Sequence, residues 1–185
     1  LINGVGVDLN EFVPKKYSSS GRLRVGLASR LLYDKGILEF IRAAEVCKKN
    51  WPEGEFILVG SPDHTNPASL SEADLIDISK KGILKLEGHS NNMPSLMQTL
   101  DIFVLPSYRE GFPKVIMEAS SSGIPVITTD VTGCRSAVLH NQTGYIVPSK
   151  NSEALATAII KLLSSLELRS SFGKNGRKFA ESNFD

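Results

Sequence analysis

Several features are scarce in this sequence, and each scarcity excludes a class of protein. Two cysteines among 185 residues, Cys47 and Cys134, are too few for a disulfide framework and too far apart for a zinc knuckle, which favours a reducing environment. Lysine plus arginine number 21 against 20 aspartate plus glutamate, so the basic excess of a nucleic-acid-binding surface is missing. No apolar run approaches the roughly 18 residues that a transmembrane helix requires.

Motifs that define several enzyme classes are also missing. The turn between the first predicted strand and its helix, residues 29–36, contains no G-x-G-x-x-G, which excludes a Rossmann dehydrogenase. The chain has neither a G-x-x-x-x-G-K-[ST] phosphate loop nor a G-x-S-x-G nucleophile elbow. Its three histidines, His64, His89 and His140, lack the mutual spacing of metal ligands, so we expect no metal site.

The sequence does contain a regular alternation of short apolar runs and amphipathic segments. The runs predict strands covered on both faces, and apolar stripes at three- and four-residue spacing predict helices between them. Predicted strands span residues 23–28, 56–59, 83–86, 102–105, 125–129 and 144–147, and predicted helices span residues 37–47, 71–81, 93–100, 114–121, 155–163 and about 168–180. This pattern indicates an α/β fold with a doubly wound, mostly parallel, Rossmann-like sheet. Ligands of such sheets bind beyond the carboxyl ends of the strands, which directs attention to the loops there.

The beginning and end of the chain bear on domain organisation. The sequence starts at Leu1 without an initiator methionine and stops after Asp185, so we expect a piece of a longer protein. Glycine, proline and serine are frequent in residues 1–20, which show no sustained periodicity and are interpreted as a connecting segment. Residues 21–185 then form a single α/β domain.

The loop after the first predicted strand carries two cations, Arg30 and Lys35. Gly36 opens the following helix, and cations beside a helix N-terminus suit the oxygens of an anion. The alternative is a solvated loop with two ordinary surface charges. Position alone leaves both interpretations open.

The loop after the fourth predicted strand, residues 107–113, carries more features of a site. Gly111 allows a close backbone approach, and Pro113 is predicted at the first position of a helix whose free N–H groups form a phosphate cradle. Glu110 precedes this cradle and Glu118 follows about one and a half turns into the helix, so two carboxylates would flank a bound diphosphate. Alternatively, Glu110 is a partner of the helix dipole and Glu118 is a surface charge.

Together these segments resemble a known enzyme family. Seven residues separate Glu110 from Glu118, and the surrounding EGFPKVIMEA resembles the E-x(7)-E signature of family 4 retaining glycosyltransferases, which have the GT-B fold. Further segments resemble the family in order and spacing across nearly the whole chain, at residues 6–12, 28–36, 101–107, 123–127 and 141–145. Residues 60–63 and 132–135 resemble the branch that builds bacterial capsule, O-antigen or exopolysaccharide units, commonly from a UDP-sugar onto a lipid-linked acceptor.

The resemblance implies a role for each matched residue in binding a nucleotide-sugar donor. Arg30 and Lys35 would neutralise the diphosphate and its growing charge as the glycosidic bond breaks, without a metal or other cofactor. Glu110 would contact the transferred sugar, and Glu118 would hold the ribose. The remaining expected contacts are the backbone amides near Gly111, Phe112 and Lys114, the loop at Gly60, and His89 and Met93 near the base, although His89 fits a position at the rim equally well.

The resemblance also implies that the chain is the C-terminal half of a two-domain enzyme, with residues 1–20 as the interdomain linker segment. The N-terminal acceptor domain, with a catalytic histidine, would lie outside this sequence, so the chain alone should bind a UDP-type nucleotide weakly and transfer no sugar. The expected acceptor is a glycan or a lipid-linked molecule. The expected location is the cytoplasm, with peripheral association of the full-length enzyme at the inner face of the membrane. Two alternatives stay open, a GT-B epimerase acting on a UDP-sugar and a non-catalytic module that binds nucleotide-sugars.

Overall fold

The structure, a computed structural model, describes residues 6–17 and 21–184. The strands are β1 (Arg24–Ala28), β2 (Glu55–Val59), β3 (Lys85–Glu87), β4 (Ile102–Leu105), β5 (Val126–Thr129) and β6 (Gly144–Val147). The helices are α1 (Ile37–Asn50), α2 (Glu72–Lys81), α3 (Met93–Thr99), α4 (Lys114–Ser121), α5 (Thr132–Ala137), α6 (Ser152–Leu163) and α7 (Leu166–Asn183), and a 3-10 turn at Tyr33–Lys35 precedes α1. In the described residues the strands form one sheet of six, and every pair is parallel.

The strand order β3-β2-β1-β4-β5-β6 reverses direction between β1 and β4. β2 and β3 lie in sequence on one side of β1, and β4 then pairs with β1 on its opposite side. Because β1 and β4 are parallel, their carboxyl ends open side by side. Doubly wound sheets bind their ligands at this switch point. The predicted fold class is confirmed.

Helices cover both faces of the sheet, which explains why the strands are continuous apolar runs. In β2, Phe56 and Leu58 belong to the core cluster under α1 and α6, whereas Ile57 and Val59 belong to the cluster under α3, α4 and α5. This alternation is that of a pleated strand, and it buries all four residues. No helix in the described part of the chain combines the length and apolarity needed to cross a membrane.

Several predicted boundaries shift in the structure. The strand predicted at residues 83–86 corresponds to β3, which begins two residues later, at Lys85. Leu84 packs in the core, but pairing with β2 starts only at Lys85. β5 begins at Val126 since Pro125 has no N–H to donate to the sheet. The last helix, α7, is longer than predicted, and Ser165 caps it by accepting a hydrogen bond from the Leu168 N–H at 3.1 Å.

Two helix assignments differ from the predictions. α5 was not predicted, because Thr132 and Gly133 are weak helix formers and the short segment shows no apolar stripe. The prediction that Pro113 occupies the first position of a helix is wrong. Pro113 is the N-cap, with φ −77° and an extended ψ of 106°, so α4 begins one residue later at Lys114.

Residues 6–17 pack against the rest of the described chain. Val7 and Phe12 are buried in the same core cluster as α4. The Lys15 Nζ lies 2.7 Å from Oδ1 of Asp101, which precedes β4. Predictions that concern residues 1–5, residues 18–20 and Asp185 fall outside the described residues, and the assignment of residues 1–20 as an interdomain linker stays a prediction.

A substitution at Gly36, the N-cap of α1, tests how closely the loop after β1 approaches the loop after β4. Its φ is 71°, and a Cβ there would overlap the Pro106 carbonyl oxygen, whereas Gly82 has a φ of 62° and open space around it. We expect Gly82→Ala to lower the free energy of unfolding by about 1–2 kcal/mol through left-handed strain alone. Gly36→Ala should lower the free energy of unfolding by roughly 1–3 kcal/mol more than Gly82→Ala does, because the added methyl group overpacks the site. Urea unfolding measures both variants, and equal losses would contradict the close approach.

Candidate functional site

Two cavities open at the carboxyl end of the sheet, and Arg30 lines both. The larger cavity, of about 560 Å³, lies between the loops after β1, β2 and β3 and the start of α4. The smaller cavity, of about 380 Å³, lies between the loops after β1 and β2 and residues 109–111 after β4. Both therefore lie at the switch point of the sheet.

The structure distributes the predicted site residues between these cavities. The larger cavity is lined by Ala28, Ser29, Arg30, Val59, Gly60, Ser61, His89, Ser90, Met93, Lys114, Val115 and Glu118. The smaller cavity is lined by Arg30, Leu32, Asp34, Lys35, Asn66, Arg109, Glu110 and Gly111. The two carboxylates of the E-x(7)-E segment are thus separated, with Glu118 in the larger cavity and Glu110 in the smaller one. Of the predicted residues, only Phe112 lines neither cavity.

Lys35 and Glu110 join the loop after β1 to the loop after β4. The Lys35 Nζ lies 2.6 Å from Oε1 of Glu110, and the two side chains are only 17% and 12% exposed. An ammonium and a carboxylate at this distance form a charge-assisted hydrogen bond. The interpretation of Lys35 as an ordinary surface charge is therefore wrong. Glu110 has a lysine partner in addition to its place near the start of α4.

Arg30 pairs with a carboxylate in the loop after β2. Its Nη1 lies 3.1 Å from Oδ2 of Asp63, and the arginine side chain is 63% exposed. Asp63 also accepts hydrogen bonds from the hydroxyl and the backbone N–H of Thr65, and these bonds together with Arg30 hold the Asp63 pKa below its ordinary value. A guanidinium has five N–H donors, so further donors of Arg30 can face an anion.

Glu118 is a buried carboxylate in the wall of the larger cavity. Its side chain is 9% exposed, and the Lys114 Nζ lies 3.5 Å from its Oε1. Burial raises the pKa of Glu118 above the ordinary value of a glutamate, and Lys114 opposes that rise. The interpretation of Glu118 as a surface charge is therefore wrong. A carboxylate that is costly to bury and lines a cavity is typical of a binding site.

Helix α4 begins at the edge of the larger cavity. No side chain of the described residues caps its first turn, because the N-cap Pro113 offers no acceptor. Lys114 and Val115, which carry the first helical N–H groups, both line the larger cavity. The ring of Phe112 instead packs edge-on against Phe184, with centroids 5.8 Å apart. The expected contribution of Phe112 through its backbone amide stays a prediction.

Sequence reasoning missed several residues of the site, chiefly those contributed by the loop after β2. Asp63 is the partner of Arg30, and Asn66 lines the smaller cavity. The Asn66 N–H donates to the Asp63 carbonyl at 2.8 Å, so both residues belong to one turn. The position of this loop after β2 indicates that it belongs to the site, but the sequence does not predict the conformation of the turn. His64, which lies in the same loop, lines neither cavity.

The site contains several groups of the kind that bind anions, beside the carboxylates that pair with them. Two side-chain cations and the start of a helix are groups that bind the oxygens of a phosphate. Within residues 6–17 and 21–184, no group of three or more His, Cys, Asp or Glu side chains could hold a metal ion. The cysteines Cys47 and Cys134 are free and buried, so neither reaches the cavities.

Curated proteins similar to this chain include enzymes of polysaccharide synthesis. The chain is 34% identical over 160 residues to the capsular polysaccharide biosynthesis glycosyltransferase CapM of Staphylococcus aureus, covering 86% of the chain and 42% of CapM. It is 31% identical over 192 residues to the N,N'-diacetylbacillosaminyl-diphospho-undecaprenol alpha-1,3-N-acetylgalactosaminyltransferase of Campylobacter jejuni, covering 97% of the chain and 49% of that enzyme. The chain thus spans about half the length of the curated relatives it matches.

Solved structures show the same architecture. The C-terminal domain of the glycosyl transferase group 1 family protein LpcC from Francisella tularensis aligns with a TM-score of 0.83 at 26% identity, covering 97% of this chain and 99% of that one. HepE from Anabaena, in complex with UDP-glucose, aligns with a TM-score of 0.81 at 26% identity, covering 97% of this chain and 52% of HepE. The expected fold, the Rossmann-like C-terminal half of GT-B, is confirmed. The sequence profile of the glycosyl transferases group 1 matches residues 10–179. The chain therefore belongs to the glycosyl transferases group 1 family.

Proposed function

We propose that this chain is the UDP-sugar-binding domain of a retaining, metal-independent family 4 glycosyltransferase. The observation that carries the proposal is the meeting of Arg30, the Lys35–Glu110 pair, the start of α4 and Glu118 around two cavities at the switch point. The enzyme transfers the sugar to a glycan or lipid-linked acceptor in the synthesis of surface polysaccharide. The chain spans about half the length of these relatives, which is compatible with a separate N-terminal acceptor domain in the full-length enzyme.

The nucleoside occupies the larger cavity. Met93, Val59 and Val115 offer apolar contacts to a flat base, while His89 and Ser90 lie beside them with polar atoms. The buried Glu118 carboxylate accepts hydrogen bonds from the two ribose hydroxyls. An ionised carboxylate can only accept hydrogen bonds, and hydroxyl groups can donate them. These hydrogen bonds offset part of the free energy that is lost in burying the charge.

The diphosphate lies where the two cavities meet. Arg30 lines both cavities, so its guanidinium can bind the phosphate oxygens between nucleoside and sugar. The first N–H groups of α4 approach from the other side with the positive end of the helix dipole. When the bond between the sugar carbon and the phosphate oxygen breaks, negative charge increases on the leaving diphosphate. Arg30 and Lys35 stabilise that charge in the role that a metal ion has elsewhere.

The transferred sugar occupies the smaller cavity. Glu110 and Asn66 line this cavity with a carboxylate and an amide, which hydrogen-bond to sugar hydroxyls. Lys35 holds Glu110 and lies close to the bond that breaks, so one ion pair serves both the sugar and the leaving group. The two carboxylates thereby act on different parts of one donor.

The names of the relatives support the finer parts of this proposal. HepE is a structural neighbour solved in complex with UDP-glucose, which supports a UDP-sugar as donor. CapM is named for capsular polysaccharide, and the Campylobacter jejuni enzyme is named for a diphospho-undecaprenol acceptor. With a lipid-linked acceptor, peripheral association of the full-length enzyme at the cytoplasmic face of the membrane is part of the proposal.

Calorimetric titration with UDP and with uridine separates the contributions of Arg30 and Glu118. Arg30→Gln should weaken UDP binding about 10- to 100-fold and leave uridine binding nearly unchanged, since a charged hydrogen bond contributes roughly 1.5–3 kcal/mol. Glu118→Ala should weaken the binding of both ligands, because both carry the ribose.

The matched control is Arg22→Gln, which removes an arginine that is 69% exposed and precedes β1 at the opposite end of the sheet. It should bind UDP like the wild type. If the wild-type chain bound none of UDP, UDP-sugars and GDP-mannose, the proposed function would be overturned. An unchanged UDP affinity in Arg30→Gln would reject the diphosphate role alone.

The raised pKa of Glu118 makes a prediction about pH. The ionised carboxylate can accept hydrogen bonds from both ribose hydroxyls with its two oxygens, so UDP-glucose affinity should fall as the pH is lowered from 7 towards the ordinary glutamate pKa. The loss should begin above the ordinary glutamate pKa of about 4.3, because burial favours the protonated form. The ratio of wild-type to Glu118→Gln affinity isolates the titration of Glu118 from other effects of pH on binding. A ratio that stays constant across this range would contradict the prediction.

A further inference from the structure

Ser107 is a fully buried hydroxyl-bearing residue at the point where β4 passes into the loop of Glu110. Its Oγ donates a hydrogen bond to Oε1 of Glu110 at 2.7 Å. A buried hydroxyl requires a hydrogen-bond partner, and backbone carbonyls are the common choice. Ser107 instead donates to a side chain that lines the smaller cavity.

Among the described residues, the hydrogen bonds to the Glu110 carboxylate all reach one of its two oxygens. Oε1 accepts both the Ser107 hydroxyl and, at 2.6 Å, the Lys35 ammonium. Neither bond involves Oε2, which leaves that oxygen as the acceptor for a ligand in the cavity. Two donors from different residues on one oxygen restrict the rotation of the carboxylate more than either donor alone would.

Ser107 is itself fixed to the interior of the sheet. Its carbonyl accepts a hydrogen bond from Oγ1 of Thr129, a buried residue at the end of β5. On the other side of the loop, Gly133 of α5 packs so closely that a Cβ there would overlap the backbone oxygens of Glu110 and Gly111. Contacts with β5 and α5 therefore hold the backbone on either side of the Ser107–Glu110 hydrogen bond.

We propose that Ser107 is a positioning residue that, together with Lys35, aims Oε2 of Glu110 at the sugar of the bound donor. This inference rests on the proposed function, because it assumes that the sugar occupies the smaller cavity. Ser107 does not touch the donor in this account. It acts through Glu110, and its effect is confined to the part of the binding energy that the sugar contributes.

The test compares the affinity of UDP with that of a UDP-sugar for the same variant. The probe is whichever of UDP-glucose, UDP-galactose and UDP-N-acetylgalactosamine the wild-type chain binds most tightly in calorimetry. Ser107→Ala should reduce the ratio of UDP-sugar to UDP affinity by about 3- to 10-fold, since one hydrogen bond to a charged group is lost while Lys35 remains. The affinity for UDP itself should not change.

Two further variants keep the test sharp. Ser107→Cys fills the same space with a weaker donor, so it should fold like the wild type and reduce the ratio in the same direction by less. Ser121→Ala is the control, because Ser121 is equally buried and its Oγ has no hydrogen-bond partner among the described residues. It should leave the ratio at the wild-type value.

The outcomes separate this inference from the proposed function. A wild-type chain that binds neither UDP nor any UDP-sugar would overturn both. A wild-type chain that binds UDP-sugars, with the ratio unchanged in Ser107→Ala and Ser107→Cys, would overturn the positioning role and leave the proposed function intact. A wild-type chain that gains no affinity from the sugar would also overturn the role, since Glu110 would then have no sugar contact to aim.

Discussion

The Lys35–Glu110 ion pair is the interaction on which the candidate site depends. Parallel pairing of β1 with β4 brings the ends of these strands together, and the 2.6 Å contact then holds their two loops against each other. Arg30 and Asp63 connect the loops after β1 and β2 in a similar way. The protein's own carboxylates thus pair with both cations, and the buried pair sets the position of the Lys35 charge before a diphosphate binds. Cations and carboxylates occur in pairs at this site, so a site with many charged groups is compatible with the near-zero net charge of the whole chain.

The loop that presents Glu110 is held from several directions, which limits the movement of the site. The Tyr108 hydroxyl donates to Oε2 of Glu39 on α1 at 2.7 Å, and burial together with this bond raises the pKa of Tyr108 to about 12. The Tyr108 N–H donates to the Asp34 carbonyl at 2.8 Å, and the Lys150 ammonium lies 4.8 Å from the centre of the Tyr108 ring. Neighbours from α1 and from two other loops therefore fix this loop, as a preorganised site requires.

The fold was largely predictable from the sequence, whereas the pairing of charges was not. Apolar runs such as residues 56–59 predict buried strands because burial on both faces leaves no polar positions. α5 escaped prediction because a short helix held by tertiary packing, such as that of Gly133 on the loop of Glu110, needs no periodic stripe of its own. The loops that carry the site were predictable from their place after the strands. The partners of Arg30 and Lys35 were not, because they depend on loop conformations that only the folded chain defines.

The central claim, that a nucleoside diphosphate binds between the loop after β1 and the start of α4, is tested most directly by following the backbone amides. Two-dimensional ¹H–¹⁵N NMR spectra of the chain during titration with UDP report on each N–H separately. We predict that the largest shifts occur at Lys114, at Val115 and within residues 29–36, while the amide of Leu168 in the first turn of α7 stays unchanged. Large shifts in α7, with the amides of residues 29–36 and of Lys114 and Val115 unmoved, would contradict the account.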